Sequence, residues 1–207
     1  MRRIDHVVYA VRDLDEAALR WADAYGLGSV PGGHHPRWGT ANRIVPLGDD
    51  YLELLAVVDP DADSALARTL RGLTSDGDRW FSICVADDEI EAAAARLGLA
   101  VEPGARTRPD GAEVRWRGAG IEDPARPPWL PFFIAWDGPR ELHPARMEVP
   151  PHPSGAAGIG SVEVGGDVET LRAWLGDDDL PIEVVSDEPG VRAVHLMTAG
   201  GEPLVVV

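Results

Sequence analysis

The 207-residue chain has no lysine: all 19 of its basic residues are arginine. That excludes a Schiff base through a lysine amine, and with it the usual anchoring of pyridoxal phosphate. It equally excludes a Gly-rich phosphate loop closed by Gly-Lys. Cysteine is almost absent, and the one copy, Cys84, cannot form an internal disulfide. It lies in the apolar run Phe81-Ser82-Ile83-Cys84-Val85, where a buried thiol is expected rather than a nucleophile. Lack of disulfides suits a reducing compartment, so a cytoplasmic location is expected. Basic charge is also scarce, since 35 acidic residues leave a formal charge of −16. Such a field repels phosphate backbones, and no nucleic-acid partner is expected. No stretch approaches the roughly 20 apolar residues of a membrane span, so no membrane partner is expected either. The opening residues lack the apolar core of a signal peptide. No serine sits in a Gly-x-Ser-x-Gly elbow, and there is no dinucleotide fingerprint.

What the chain does have is a repeat. Residues 3–11 are apolar and β-branched, as in a strand. Asp13, with Glu16 three residues on, opens a helix whose apolar face is Leu14, Ala17, Ala18, Trp21 and Tyr25. Gly26 and Gly28 end it. A Gly/His/Pro-rich loop, Pro31 to Trp38, is followed by strands at Asn42–Leu47 and Tyr51–Val57. The pattern recurs from Trp80, with a helix started by Asp87 or Asp88 and ended by Gly98, and strands at Leu99–Glu102, Ala112–Arg117 and Pro131–Asp137. It recurs again from Ile159, with a helix from Asp167 and strands at Ile182–Val185, Val191–Thr198 and Pro203–Val207. Ile4, Phe81 and Ile159 are almost evenly spaced, the mark of a repeat architecture. The expected fold is α+β: repeated β-α-β-β-β modules whose curved mixed sheets enclose a cleft, because one module cannot cover both faces of its sheet. The expected organisation is a first module over 1–58 and a helical connector over 59–78, with a helix at Asp61–Leu73. A second module over 79–137, lengthened by the Pro-rich stretch Pro124–Pro131, precedes a Pro/Gly-rich linker over 138–157. A third module covers 158–207. The first two are expected to share the cleft, and the third to cover an edge or meet its equivalent in a homodimer; pairing of the first and third copies is the rival arrangement.

Several stretches carry a family likeness. They are Ile4-Asp5-His6-Val7-Val8-Tyr9-Ala10-Val11, His35-Pro36-Arg37-Trp38-Gly39-Thr40-Ala41-Asn42 and Tyr51-Leu52-Glu53-Leu54. Arg108-Pro109-Asp110-Gly111, Arg115-Trp116-Arg117 and residues 130–136 follow. With the module order, they make the chain resemble the vicinal oxygen chelate superfamily, and within it the glyoxalase-like domain family. The resemblance implies a divalent metal held by a His on a first strand and a Glu on a fourth, positions occupied here by His6 and Glu53. Two further ligands would come from the partner module. There His6 aligns near Ser82, and Glu53 near Phe132–Ile134; in the third copy they align near Ser161 and Val205. No imidazole or carboxylate stands at those places.

His6 and Glu53 lie inside apolar strands, where an unpaired carboxylate is costly. Strand alternation puts His6 with Val8, and Glu53 with Tyr51 and Leu55, on single faces. The pair is a half metal site, an acid/base pair in the cleft, or a buried ion pair that fixes the sheet. Of His34 and His35, adjacent in the loop, one, foremost His35, would reach over the cleft and supply a third metal ligand, or both would remain solvated loop residues. Trp38, Thr40 and Asn42 would supply an aromatic wall and hydrogen-bonding groups. Trp116, Phe133 and Trp136 would line the opposite wall, and Arg108 or Arg115 could bind a substrate carboxylate. His143, His152 and His195 read as surface or satisfied structural residues. The functional expectation is a small-molecule cleft protein, either a metal-dependent lyase or isomerase acting on an oxygenated metabolite, or a non-catalytic binding protein of the bleomycin-resistance type. The cofactor would be a divalent metal or none. A third reading is a cleft filled by the protein's own side chains.

Overall fold

A computed structural model of the chain describes residues 2–123 and 125–207. Pro124, the first residue of the Pro-rich stretch, lies outside the described residues, as does Met1. Strand β1 (Arg3–Ala10) is buried without a break from Ile4 to Val8. Such burial on both faces suits the apolar Ile4, Val7 and Val8, and it also encloses Asp5 and His6. Helix α1 (Leu14–Tyr25) starts where the Asp13 carboxylate accepts the backbone N–H groups of Asp15 and Glu16. It stops at Gly26, whose φ of 60° is left-handed. A side chain there would also lie 2.9 Å from the Ser154 nitrogen.

Strands β2 (Val30–His35), β3 (Thr40–Pro46) and β4 (Tyr51–Val57) complete the first module. The expected Pro31–Trp38 loop is thus mostly strand. Its Gly, His and Pro content argues against that locally, yet β2 pairs with β3 from Val30↔Ile44 to His35↔Thr40. Partners across the sheet override intrinsic propensity. Helix α2 (Ala65–Leu73), capped by Ser64, begins four residues later than expected. It inserts Leu66 and Leu70 into one end of the barrel core. The second module runs β5 (Arg79–Ala86), α3 (Ile90–Leu97), β6 (Val101–Thr107), β7 (Glu113–Ala119) and β8 (Phe132–Asp137).

The eight strands close in the order β1-β4-β3-β2-β6-β7-β8-β5. In both halves the first strand pairs in parallel with the fourth. The halves join along β1 and β5, antiparallel, and along β2 and β6 at His34↔Thr107. The first two modules therefore enclose a single interior.

The third stretch has the same element order but another wiring. Strands β9 (Ala156–Gly165), β10 (Ile182–Ser186), β11 (Gly190–Thr198) and β12 (Leu204–Val206), with helix α4 (Val168–Leu175), form a sheet ordered β10-β9-β11-β12. Here the first strand pairs in parallel with the second. One face of this sheet packs against the outside of the barrel. Val162, Val164, Val194 and Leu196 meet Val7, Leu52, Leu54 and Ile83 in one core. The same chain thus covers that face, with no second copy needed. Among the described residues, no helix is long and apolar enough to cross a membrane.

Asp50, in the turn between β3 and β4, holds the third sheet by accepting the Ile159 N–H at 3.1 Å on both oxygens. Burial outweighs that hydrogen bond and raises its carboxyl to about 6. A raised carboxyl destabilises the fold above that value, and the cost vanishes as pH falls towards the ordinary Asp value near 4. Asp50→Asn, which keeps the acceptor, should stabilise the protein by about 1 kcal/mol near pH 8 and by nothing near pH 4. Urea unfolding at the two pH values checks this.

Candidate active site

The buried Asp5–His6 pair owes its placement to a fault in one strand. The β1–β5 register shifts between Ile4 and His6, so Asp5 is an extra residue opposite Cys84. A bulge breaks the alternation of side chains and turns two successive residues to one side. Asp5 and His6 are both buried as a result. Asp5 Oδ1 meets His6 Nδ1 at 2.8 Å, and Oδ2 meets both His143 Nε2 and Trp136 Nε1 at 3.0 Å. Arg3 adds a donor at 3.3 Å. His143 Nδ1 accepts the Ala145 N–H, which leaves the proton on Nε2 for Asp5. Burial pushes the Asp5 carboxyl up, but the hydrogen bonds from His143 and His6 outweigh it and hold it well below the usual carboxylate range.

With Nδ1 donating to Asp5, His6 Nε2 faces Glu53 Oε2 at 3.5 Å. The ring is clamped by stacking on Tyr51, at 4.4 Å and 20°, and by the edge of Phe132. Burial, with Asp5 and Glu53 nearby, keeps the Tyr51 phenol protonated. Glu53 Oε1 accepts from the Asn42 amide, whose own oxygen takes Arg106 Nη1 at 3.4 Å. Arg106 is 2% exposed. Burial pulls its guanidinium below the ordinary value, partly offset by Tyr51 and Glu53. His35 Nδ1 is bonded to Thr40 Oγ1 at 3.0 Å. Burial and the neighbouring Arg106 lower His35 to about 3, so it is neutral.

His6, His35, Asn42, Tyr51, Glu53 and Arg106 border a cavity of about 50 Å³, room for a few water-sized groups. Of the residues expected from sequence, His6, Glu53, His35, Trp38, Asn42, Trp116 and Trp136 line it. Thr40 stands behind, orienting His35. Arg115 and Phe133 are corrections. Alternation along β7 points Trp116 inward and Arg115 outward, where it is exposed and paired with Glu113. On β8, Phe132, Ile134 and Trp136 face inward, while Phe133 packs under α3 with Ile90 and Ala94. Arg108 pairs with Asp110 instead of reaching the cavity. Sequence reading missed Asp5, hidden by the bulge, and Arg106. Arg106 carries no local signal, and only the fold shows that Gly32 makes room for it, since a Cβ there would lie 2.7 Å from Nη1. Of the other histidines, His34 is exposed and three are structural. His143 braces Asp5, His152 joins Gly28 to Pro46, and His195 pairs with Glu163.

The donor set does not fit a resident divalent metal. His6 and Glu53 are two ligands, whereas catalytic metals usually have three from protein. The second module presents Phe81, Phe132, Ile134 and Trp136, and a guanidinium occupies the flank. Asp5, His6 and Cys84 do place donor atoms within 4.8 Å of one another. However, Asp5 already accepts three ring N–H groups, and burial keeps Cys84 a thiol.

The signature of the glyoxalase-like domain family matches residues 4–177, and the chain belongs to that family. No curated protein matches the chain. Among solved structures, a hypothetical protein from Staphylococcus aureus shares the fold. It is 18% identical with a TM-score of 0.65, over 99% of this chain and 85% of that one. Weaker likenesses are a methylmalonyl-CoA epimerase of Streptomyces coelicolor (22% identity, TM-score 0.48, 66% and 98% covered) and one of Mycobacterium tuberculosis (20%, 0.48, 67% and 89%).

A buried neutral histidine has a consequence for acid stability. The unfolded chain takes its proton near pH 6.5 and the folded one only near 3, so stability falls as pH drops between them. Between about pH 7.5 and 4, wild type should lose on the order of 3 kcal/mol more than His35→Gln. Denaturant melts of the two proteins at both pH values measure the difference.

Proposed function

We propose that the barrel interior is the active site of a small-molecule isomerase or lyase that moves a proton on a carbon next to a carbonyl. The observation that carries this reading is the line Asp5–His6–Glu53, with His6 Nε2 and Glu53 Oε2 3.5 Å apart at the cavity wall. Glu53 is the base. Its carboxylate takes the proton of the C–H bond, and the bonding pair moves onto the carbonyl oxygen as an enolate. Asn42 orients Glu53 through one oxygen, leaving the other for the proton. His6, held in one tautomer by Asp5, relays the proton and returns it. Apolar walls from Val8, Leu55, Phe81 and Ile134 exclude water, which strengthens every charge inside. A sequestering protein of the same shape would have no use for this chain of titratable groups, and its apolar walls alone would serve.

The test is deuterium incorporation in D2O, followed by NMR with pyruvate, dihydroxyacetone and propanal as probes. Wild type should exchange at least one of them above the buffer rate. Glu53→Gln should lose roughly 10²- to 10⁴-fold, the usual worth of a general base. Asp5→Asn should lose less, because it only misorients His6. No exchange by wild type, or equal exchange by Glu53→Gln, would overturn the reading.

A further inference from the structure

Two arginines are deeply buried in this protein, and their surroundings treat them oppositely. Arg126 donates to the carbonyls of Gly120 and Leu130 and to Ser82 Oγ at 3.0 Å, tying the loop after β7 to β5. It is satisfied and structural. Arg106 has no such set. Nη1 reaches Asn42 Oδ1 only at 3.4 Å, the acceptor of Nη2 is the Met147 sulfur at 3.9 Å, and Nε has no partner. None of the ion pairs among the described residues includes it. A buried guanidinium left so short of acceptors is a costly arrangement unless something arrives to complete it. Its head group lines the cavity beside Asn42 and Glu53. The fold makes room for it there: a Cβ at Gly32 would lie 2.2 Å from Asn42 Oδ1 and 2.7 Å from Arg106 Nη1.

We propose that Arg106 receives the carboxylate of a short-chain monocarboxylic acid, with the acid's α-carbon set against Glu53. The planar fork of a guanidinium matches a carboxylate bidentately. Asn42 touches both Arg106 and Glu53, so a carboxylate on one places its neighbouring carbon near the other. The walls also include Val8, Leu55, Phe81, Phe132 and Ile134, which suit a short alkyl group. The proposal deepens the proton-transfer reading above and rests on it for the role of Glu53. It also assigns the positive charge that a metal carries in the superfamily this chain resembles: here a guanidinium faces the oxygen on which negative charge develops.

Propanoate, pyruvate and lactate are titrated into the full chain by calorimetry, with propanamide and inorganic phosphate as comparators. Millimolar binding of at least one carboxylate by wild type is expected, and none of propanamide. Arg106→Met should weaken it at least tenfold. Glu53→Gln should tighten it several-fold, because a neighbouring negative charge is removed. Arg106→Met should also melt a few degrees above wild type, since an unsatisfied charge gives way to an apolar chain. A structural arginine would instead lower the melting temperature. Should Arg106→Met fail to fold, Arg106→Lys, which loses the fork, supplies the binding comparison. No carboxylate binding by wild type, binding of phosphate alone, or equal binding by the Arg106 variant overturns the proposal. Carboxylate binding that depends on Arg106 without any deuterium exchange upholds this site and defeats only the proton-transfer reading.

Discussion

Strand β1 is the member on which the rest of the barrel hangs. One edge pairs in parallel with β4, and the other pairs antiparallel with β5 across the junction between modules. Its outward side chains, among them Val7, enter the core shared with the third sheet, while Val8 enters the barrel interior. A strand paired on both edges and buried on both faces has no freedom to slip, because a one-residue shift would move every side chain to the wrong face. The bulge at Asp5 is therefore a fixed feature, and it delivers a carboxylate and an imidazole to one place.

Charge inside such an enclosure must be answered by protein groups. Asp5 is ionised because His6, His143 and Trp136 each give it a ring N–H, which outweighs the cost of leaving water. Two of those donors come from outside the first module. Trp136 lies on the last strand of the second, and His143 in the segment that follows. The site is thus an assembled object although His6 and Glu53 sit on β1 and β4. The second module supplies aromatic walls, and through β6 it supplies Arg106.

Membership of the glyoxalase-like domain family accounts for the barrel but leaves the chemistry to the side chains. A pair of donors in one module, faced by phenylalanine and tryptophan from the other, is poorly suited to hold a dication. The same pair, oriented by Asp5 on one side and Asn42 on the other, is well suited to hold and pass a proton. Low dielectric in the apolar cup strengthens both the Asp5 network and the field of the unsatisfied guanidinium.

By itself the sequence determined the β-α-β-β-β order, the helix starts at Asp13 and Asp167, and the inward faces carrying His6 with Val8 and Glu53 with Tyr51. These follow from local rules of capping and of side-chain periodicity, which act over a few residues. It also contained the contrast between copies, since no ligand type stands opposite His6 and Glu53. Only the tertiary structure decided the rest. Strand β2 forms from Gly- and His-rich residues because β3 and β6 offer it partners. Asp5 turns inward because β5 imposes a bulge, and Arg106 enters the cavity because Gly32, far away in sequence, leaves a gap. Arg115 and Phe133, both placed in the cleft from sequence, fall outside it because register is set by the neighbouring strand. The third stretch repeats an element order without repeating its wiring, because pairing depends on which edges are free when strands meet.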